Sequence, residues 1–496
     1  MRRFSLIASV LLGLSVFAVF SAASKNRTKT AENASISRLL FTETARYEPL
    51  SWLRGGERFP EGGELVIQDQ TGRHRLVPEF AASVDGDVAF DGNSVVFSGR
   101  EHAADPWQVY EVTLANGHLR RITQTPDDCI RPLYLPGGRV VYAHRDGARF
   151  VLETAALEDG KATRLSFAPG DSLPNDVLRD GRILFSAGYP LGSEEAAELY
   201  TVYSDGSGVE AYRCDHGRSR FAGKQINSGD ILFTERRGVG RFTSALAEEE
   251  AVAVPEGDYS GGIAETAPGE LLVSWRLAPG QAFVLKVWKG EGTGIREQAI
   301  EKANAGPSTS PSPSLSSGSG SGRDDKAIVA TTLQAVVAPA GMSLVEPVVV
   351  APRPVPNRHP SALHEWSYSN LLALNAAIHR GGRLDAKNIA TVRLWTQAAD
   401  GSTHLLGSSL VEKDGSFFIQ VPGDTPLRFE LLDASGKVIE RERGWMWARG
   451  GEQRICVGCH AGPERAPDNA VPAVLLRSTE PVKMTGTVTS SAKGGR

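Results

Sequence analysis

The sequence predicts a mainly β chain, an N-terminal β-propeller of about six blades followed by a small β-sandwich-like domain. Three observations predict it. A Gly or polar turn followed by a short β-branched or aromatic strand recurs between residues 36 and 302. The clearest copies stand 40 to 48 residues apart, the size of one four-stranded blade. After residue 390 a second group of alternating strands appears, separated by Asp-Gly and Ser-Gly turns, which reads as a separate small sheet domain.

The chain has 496 residues, 41% hydrophobic and 23% charged, enough for two or three separate cores. A net charge of −4 offers no basic excess to neutralise phosphates, so sequence-independent nucleic-acid binding is set aside. The first segment, 1–23, places Met1, Arg2 and Arg3 before an apolar run from Leu6 to Phe20, then Ser21, Ala22 and Ala23. That order reads as a secretory signal peptide, with Ser21 and Ala23 suited to the −3 and −1 cleavage positions. The run is shorter than the ~20 residues of a spanning helix, and no later stretch is comparably apolar. The expectation is a periplasmic or secreted protein whose mature chain has no membrane span.

The propeller, 36–302, is carried by Leu39-Leu40-Phe41, Val95-Val96-Phe97, Val140-Val141-Tyr142, Ile183-Leu184-Phe185, Ile231-Leu232-Phe233 and Leu271-Leu272-Val273. Gly138, Gly181, Gly229 and Gly269 stand two residues before the last four. Second halves echo one another at 64–77, 109–122 and 199–212, each a strand, a Gly-containing turn and a strand again. These repeats resemble TolB-like and WD40-like propellers, a resemblance that speaks to fold rather than function. Residues 303–326 are a Ser/Gly/Pro-rich linker that cannot bury enough surface to order itself. The apolar segment 327–351 can supply a strand that closes the propeller. The Pro-rich piece Pro352 to Pro356 reads as a spacer opening a second domain, 352–480. Within it, Leu363 to Ile378 has helix-like apolar spacing and reads as a short helix or a buried segment. Strands follow at Thr391–Thr396, His404–Val411, Ser416–Val421 and Leu427–Asp433, and 481–496 reads as a disordered tail.

The chemistry lies in Cys456-Val457-Gly458-Cys459-His460, a C-x-x-C-H sequence. Two thiols on one turn can add to the two vinyl groups of a haem, and the next residue offers its imidazole to the iron. Cys456, Cys459 and His460 are therefore read as the attachment residues of one covalent haem c, with His460 the metal ligand. A redox dithiol would sit in a βαβ context, which is missing. A structural zinc site would need a second Cys pair or a local His pair. Export favours haem attachment as well. His359, His364, His379, His404, Met446 and Met484 remain open as sixth ligand, as does an iron without one. Trp445 and Trp447 alternate in a strand, so at least one faces inward, against either porphyrin or core.

Asp414 to Phe418, Val421-Pro422, Thr425 to Arg428, Leu432-Asp433 with Gly436, Trp445-Met446-Trp447 and Ala466 to Asn469 surround the motif. Together these resemble the middle domain of the hydrazine synthase alpha subunit and its relatives, over roughly 352–476. The resemblance implies haem binding at Cys456, Cys459 and His460 and an N-terminal propeller. It does not imply hydrazine synthesis, because that enzyme's alpha subunit is multihaem and this sequence has one C-x-x-C-H.

The remaining cysteines, Cys129 and Cys214, each precede a repeated strand. A bridge between them is open, but unpaired thiols fit better, since the sequence supplies no short Cα separation. Two function classes follow. The favoured one is a mono-haem c-type cytochrome-like protein, in electron transfer or haem-based redox with a redox partner protein inside a larger assembly. The alternative is a propeller that binds a ligand or protein, with an accessory haem domain. A hydrolase is weaker, since no nucleophile elbow stands in a strand-to-helix context; Gly206-Ser207-Gly208 lies in a blade turn.

Overall fold

The computed structural model describes residues 38–188, 197–213, 218–235, 237–245, 247–289, 335–336, 338–379, 382–384, 386–398, 400–458 and 470–484. The proposed signal peptide, the linker 303–326 and Cys214 lie outside them. Among the described residues, six four-stranded sheets make the propeller. Blades 2 to 6 begin with the inner strands Ala82–Val88, Cys129–Leu135, Ser172–Val177, Phe221–Gln225 and Asp258–Ala267. Blade 1 is different: its inner strand is Ser343–Val349, which pairs antiparallel with Arg38–Thr44. The end of the propeller is thus fastened to its beginning. Ala335–Val336 joins the outer edge of blade 6, so the segment after the linker serves two blades.

Each repeated hydrophobic triplet of the sequence lies in the second strand of a blade. Those strands are flanked on both sides in their sheet and covered on both faces by neighbouring blades, which is why they read as continuous apolar runs. Leu40, Phe41, Val96, Phe97, Val140, Ile183, Leu184, Ile231 and Phe233 are all buried.

Every inner strand is irregular at one equivalent point. Its register shifts there against the second strand, a β-bulge that bends the strand and re-aims a side chain. Asp85, Arg131, Ala222 and Glu346 take positive φ at these points, as does Gly261. Beyond the bulges, one end of the central channel is filled by residues 45–63, which connect the second and third strands of blade 1. Tyr47, Trp52 and Phe59 pack there against Val84, Ile130, Leu173, Phe221 and Val345 of the inner strands.

The second domain is a sandwich of two four-stranded sheets. One has the order Gln453–Cys456, Tyr368–Ala373, Phe417–Pro422, Val482–Lys483; the other Thr403–Leu410, Thr391–Gln397, Arg428–Leu432, Val438–Arg441. Leu371, Val392, Leu394, Leu406, Phe417, Ile419 and Leu431 form the core between them. Gln453–Cys456 and Val482–Lys483 pair in parallel at the edges of the sandwich. Of the two readings of 363–378, a short helix or a buried segment, residues 368–373 take the second, as a central strand: Ser369, Leu371 and Ala373 face inward in strict alternation, and hydrogen bonding to two neighbours overrides the helix-like spacing. The tail does not begin at 481, because Val482–Lys483 is paired and Met484 is buried in the core.

The Pro-rich piece 352–356 is not a free spacer. The strap 352–366 runs along the propeller face over turns of blades 2, 3 and 4. Arg353 lies over the Phe90 ring and donates to both carboxylate oxygens of Asp87, at 2.9 and 3.0 Å. The Asn357 N–H donates to the Arg179 carbonyl at 2.8 Å, and His359 stacks on Tyr203 with ring centroids 3.8 Å apart. Gly181, at φ +89°, makes this approach possible, since a Cβ there would stand 2.2 Å from the Asn357 oxygen.

Candidate haem-attachment site

Cys456 is the last residue of the edge strand Gln453–Cys456. The strand is held in place by parallel pairing with Tyr368–Ala373, Cys456 lying opposite Ala373, and by the Leu374 N–H donating to the Cys456 carbonyl at 2.8 Å. Its thiol is half-buried and forms no disulfide with any described residue. The chain leaves the sheet at Val457 and Gly458. Gly458 lies against the hairpin Ile378–His379/Gly382–Arg383: a Cβ at this glycine would come within 2.8 Å of both the Cβ and the carbonyl oxygen of Ile378. Gly458 is thus a positional requirement of the motif that the C-x-x-C-H pattern alone does not express, because any residue satisfies its x positions.

Cys459 and His460 lie outside the described residues, as does the side chain of His379. The Ile378 contact nevertheless brings the backbone next to His379 against the motif. The other sixth-ligand candidates are placed as follows. Met484 is buried in the sandwich core, and Met446 packs on both the sandwich and propeller cores. His404 is exposed on the opposite sheet, beside Ser402 at 2.7 Å. His364 is exposed and stacked on Trp366, and His359 is held on Tyr203. Among the described residues, no three His, Cys, Asp or Glu side chains gather into a metal-binding group. The donor set that is visible, a half-buried thiol at a strand end in no disulfide with a described residue and with a bend at Gly458 after it, fits covalent attachment.

The strand leading to the motif is anchored to the propeller. Trp447 is 1% exposed and sits between blades 3 and 4 with Leu165, Phe185 and Val202; its indole N–H donates to the Gly206 carbonyl at 3.0 Å. It packs against protein core, which decides that alternative. Trp445 is buried beneath the Arg428 guanidinium. Arg449 donates to the carbonyls of Arg164 and Asp205 and to Asp424 at 2.6 Å. Two residues before Cys456, Arg454 donates to the Val209 carbonyl at 2.7 Å. Burial opposes its charge, but the neighbouring Cys456, Glu452 and Glu210 outweigh burial and hold the guanidinium above its ordinary range. Arg449 and Arg454 carry no motif, and only the fold makes them legible. Cys129, by contrast, is buried in blade 3, forms no disulfide with any described residue, and burial pushes its thiol up to about 11, an inert packing group.

Residues 377–461 match the family model of the hydrazine synthase alpha subunit middle domain, a span that ends just past the C-x-x-C-H. A solved structure of Kuenenia stuttgartiensis hydrazine synthase aligns over 90% of this chain and 72% of that chain, with TM-score 0.69 and 15% identity. That likeness extends the shared fold over both the propeller and the sandwich. TolB from Acinetobacter baumannii aligns over 51% of this chain and 61% of its own, with TM-score 0.38 and 13% identity. No curated protein matches the chain.

Proposed function

We propose that this chain is an extracytoplasmic mono-haem c-type redox protein that works with partner proteins. One observation carries the reading: a C-x-x-C-H motif lies inside the segment that matches a hydrazine synthase alpha middle domain, with the first thiol at the end of a paired edge strand. Cys456 and Cys459 would hold the porphyrin through thioether bonds, and His460 would ligate the iron. The haem, when bound, supplies one-electron chemistry at a potential set by its axial ligands and surroundings. The chain's own residues fix where that happens. Gly458 seats the motif on Ile378, while Trp447, Arg449 and Arg454 hold the segment before Cys456 against blades 3 and 4.

Hydrazine synthesis is not proposed, because the sequence offers one attachment motif. The match to a protein named as an alpha subunit supports a larger assembly and a redox partner within it. The positive, apolar and small-residue order of 1–23 supports export. Among the described residues, no helix is long and apolar enough to cross a membrane.

The test is covalent retention. Protein exported from a host with haem-maturation machinery is expected to keep its haem through denaturation and acid-acetone extraction. Cys456→Ala and Cys459→Ala should each reduce that retention, and His460→Ala should shift the reduction potential. Haem that extracts fully from the unaltered protein would overturn the reading.

A further inference from the structure

The open end of the propeller channel holds a cavity of about 390 Å³, within the about 300–1,000 Å³ of small-molecule sites. Its existence follows from the ring of bulges. Around the channel, the equivalent positions are Glu346, Asp85, Arg131, Asn175, Ala222 and Gly261, for blades 1 to 6 in order. Four carry long or polar side chains. Blades 5 and 6 carry a methyl and a hydrogen, so the space over them stays empty, and the cavity lies there.

Its lining is charged but internally matched. Arg58, rising from the segment that fills the other end, donates to Asp85 and to Glu346, each at 2.6 Å. Arg131 bonds Glu346 and lies 3.5 Å from Asp85. On the walls, Asp176 meets Lys224 at 2.7 Å and Asp87 meets Arg353 of the strap at 2.9 Å. Arg179 and Glu265 are capped by backbone groups of the turn at 226–227. Every cavity-lining charge therefore has a partner, and a charged ligand would enter as an excess charge against a balanced wall.

Hydrogen-bonding capacity nevertheless remains on both sides of the balance. Glu265, in the cavity lining, accepts one hydrogen bond on its carboxylate, from the Asn227 N–H, fewer than a carboxylate can take. Lys224, one-third exposed, makes one of the three hydrogen bonds its ammonium can donate. The remaining walls, Leu133, Val177, Ile226 and Ile263, are apolar, and Pro352, Pro354 and Pro356 of the strap add to them. Hydroxyl groups donate and accept without bringing charge, and the C–H faces of a polyol suit aliphatic and proline surfaces.

We propose that this cavity is a binding site for a small uncharged polyhydroxylated molecule, a monosaccharide or sugar alcohol. Its polar contacts are Lys224 and Glu265, and it is seated over Ala222 and Gly261. The site is independent of haem loading, so its test and that of the redox reading fail separately.

The experiment is calorimetric titration and thermal melting of the full chain with glucose, galactose, mannose and mannitol. Glucuronate, glucosamine and glycine serve as anionic, cationic and zwitterionic counterparts. At least one neutral probe is expected to bind and raise Tm, equally in Cys456→Ala protein, and to bind at least tenfold more tightly than any charged probe. Ala222→Leu, which fills the void, and Lys224→Met, which removes the ammonium but keeps its stem, should each weaken binding at least tenfold. If one variant fails to fold, the other decides. The proposal is overturned if no neutral probe binds, if a charged or zwitterionic probe binds as tightly, or if binding survives in either folded variant.

Discussion

Replacing Gly181 with Ala probes the docking of the strap that joins the two domains. Gly181 sits at φ +89°, where an alanine costs about 1–2 kcal/mol from its own backbone. Its Cβ would stand 2.2 Å from the Asn357 oxygen, too close for any adjustment short of moving the strap. That movement gives up the 2.8 Å hydrogen bond from Asn357 to Arg179, about 1 kcal/mol. If the strap lifts further, it also gives up the His359–Tyr203 stack, about 0.5–1.5 kcal/mol. Gly138 is the internal control. It has φ +71° in the corresponding turn of blade 3, and a Cβ there meets nothing within 4 Å. Gly138→Ala should therefore cost about 1–2 kcal/mol and Gly181→Ala about 2–4 kcal/mol. Urea titration of the two variants measures the difference, and limited trypsinolysis locates it. Arg358 precedes His359 and becomes cleavable once the strap lifts, whereas Arg353 precedes Pro354 and stays resistant. Equal destabilisation of the two variants, with cleavage after Arg358 unchanged in both, would refute the docking argument.

Two further outcomes are expected. Trp447→Ala empties a fully buried site between blades 3 and 4 and should cost about 3–5 kcal/mol, read in calorimetry as the sandwich melting apart from the propeller; a single unshifted transition would contradict its anchoring role. Burial, reinforced by the neighbouring Glu249, pushes the Glu235 carboxyl up to about 7, so the folded state holds a proton that the unfolded chain releases near its ordinary value of 4.5. The stability linked to Glu235 is then whole below about 4.5 and is lost as pH rises through about 7. Glu235→Gln should leave Tm nearly unchanged at pH 5 and raise it at pH 8, and a gain confined to pH 5 would reverse the assignment.

The propeller was legible because its repeat is local. Each blade writes the same turn and the same apolar strand, and the strand between two neighbours must be apolar on both faces whatever its partners. The sandwich strands from Thr391 to Leu432 were legible for a related reason, since alternation and tight Asp-Gly turns fix strand and loop without knowledge of the partner. Leu363 to Ile378 stays open between a helix and a buried segment, because its apolar spacing suits a helix as well as a strand. The choice was made by Phe417–Pro422 and Gln453–Cys456, distant in sequence, which offer that segment two hydrogen-bonding edges.

The candidate attachment site divides in the same way. Cys456, Cys459 and His460 stand in one short motif whose spacing carries its own chemical reason, so the sequence alone nominates them. The seating of Gly458 on Ile378, the burial of Trp447 between blades 3 and 4, and the grip of Arg454 on the Val209 carbonyl join residues 80 to 282 positions apart. Contacts of that separation leave no period in the sequence. The channel cavity is more dependent still on tertiary structure, because Ala222 and Gly261 mean nothing singly. They make a void only where closure of the ring sets them beside Glu346, Asp85, Arg131 and Asn175. Sequence by itself determined which residues could form strands and which could bind a haem, since both follow from local chemistry. The tertiary structure decided what each of them faces, because that depends on how the six blades close and where the strap crosses them.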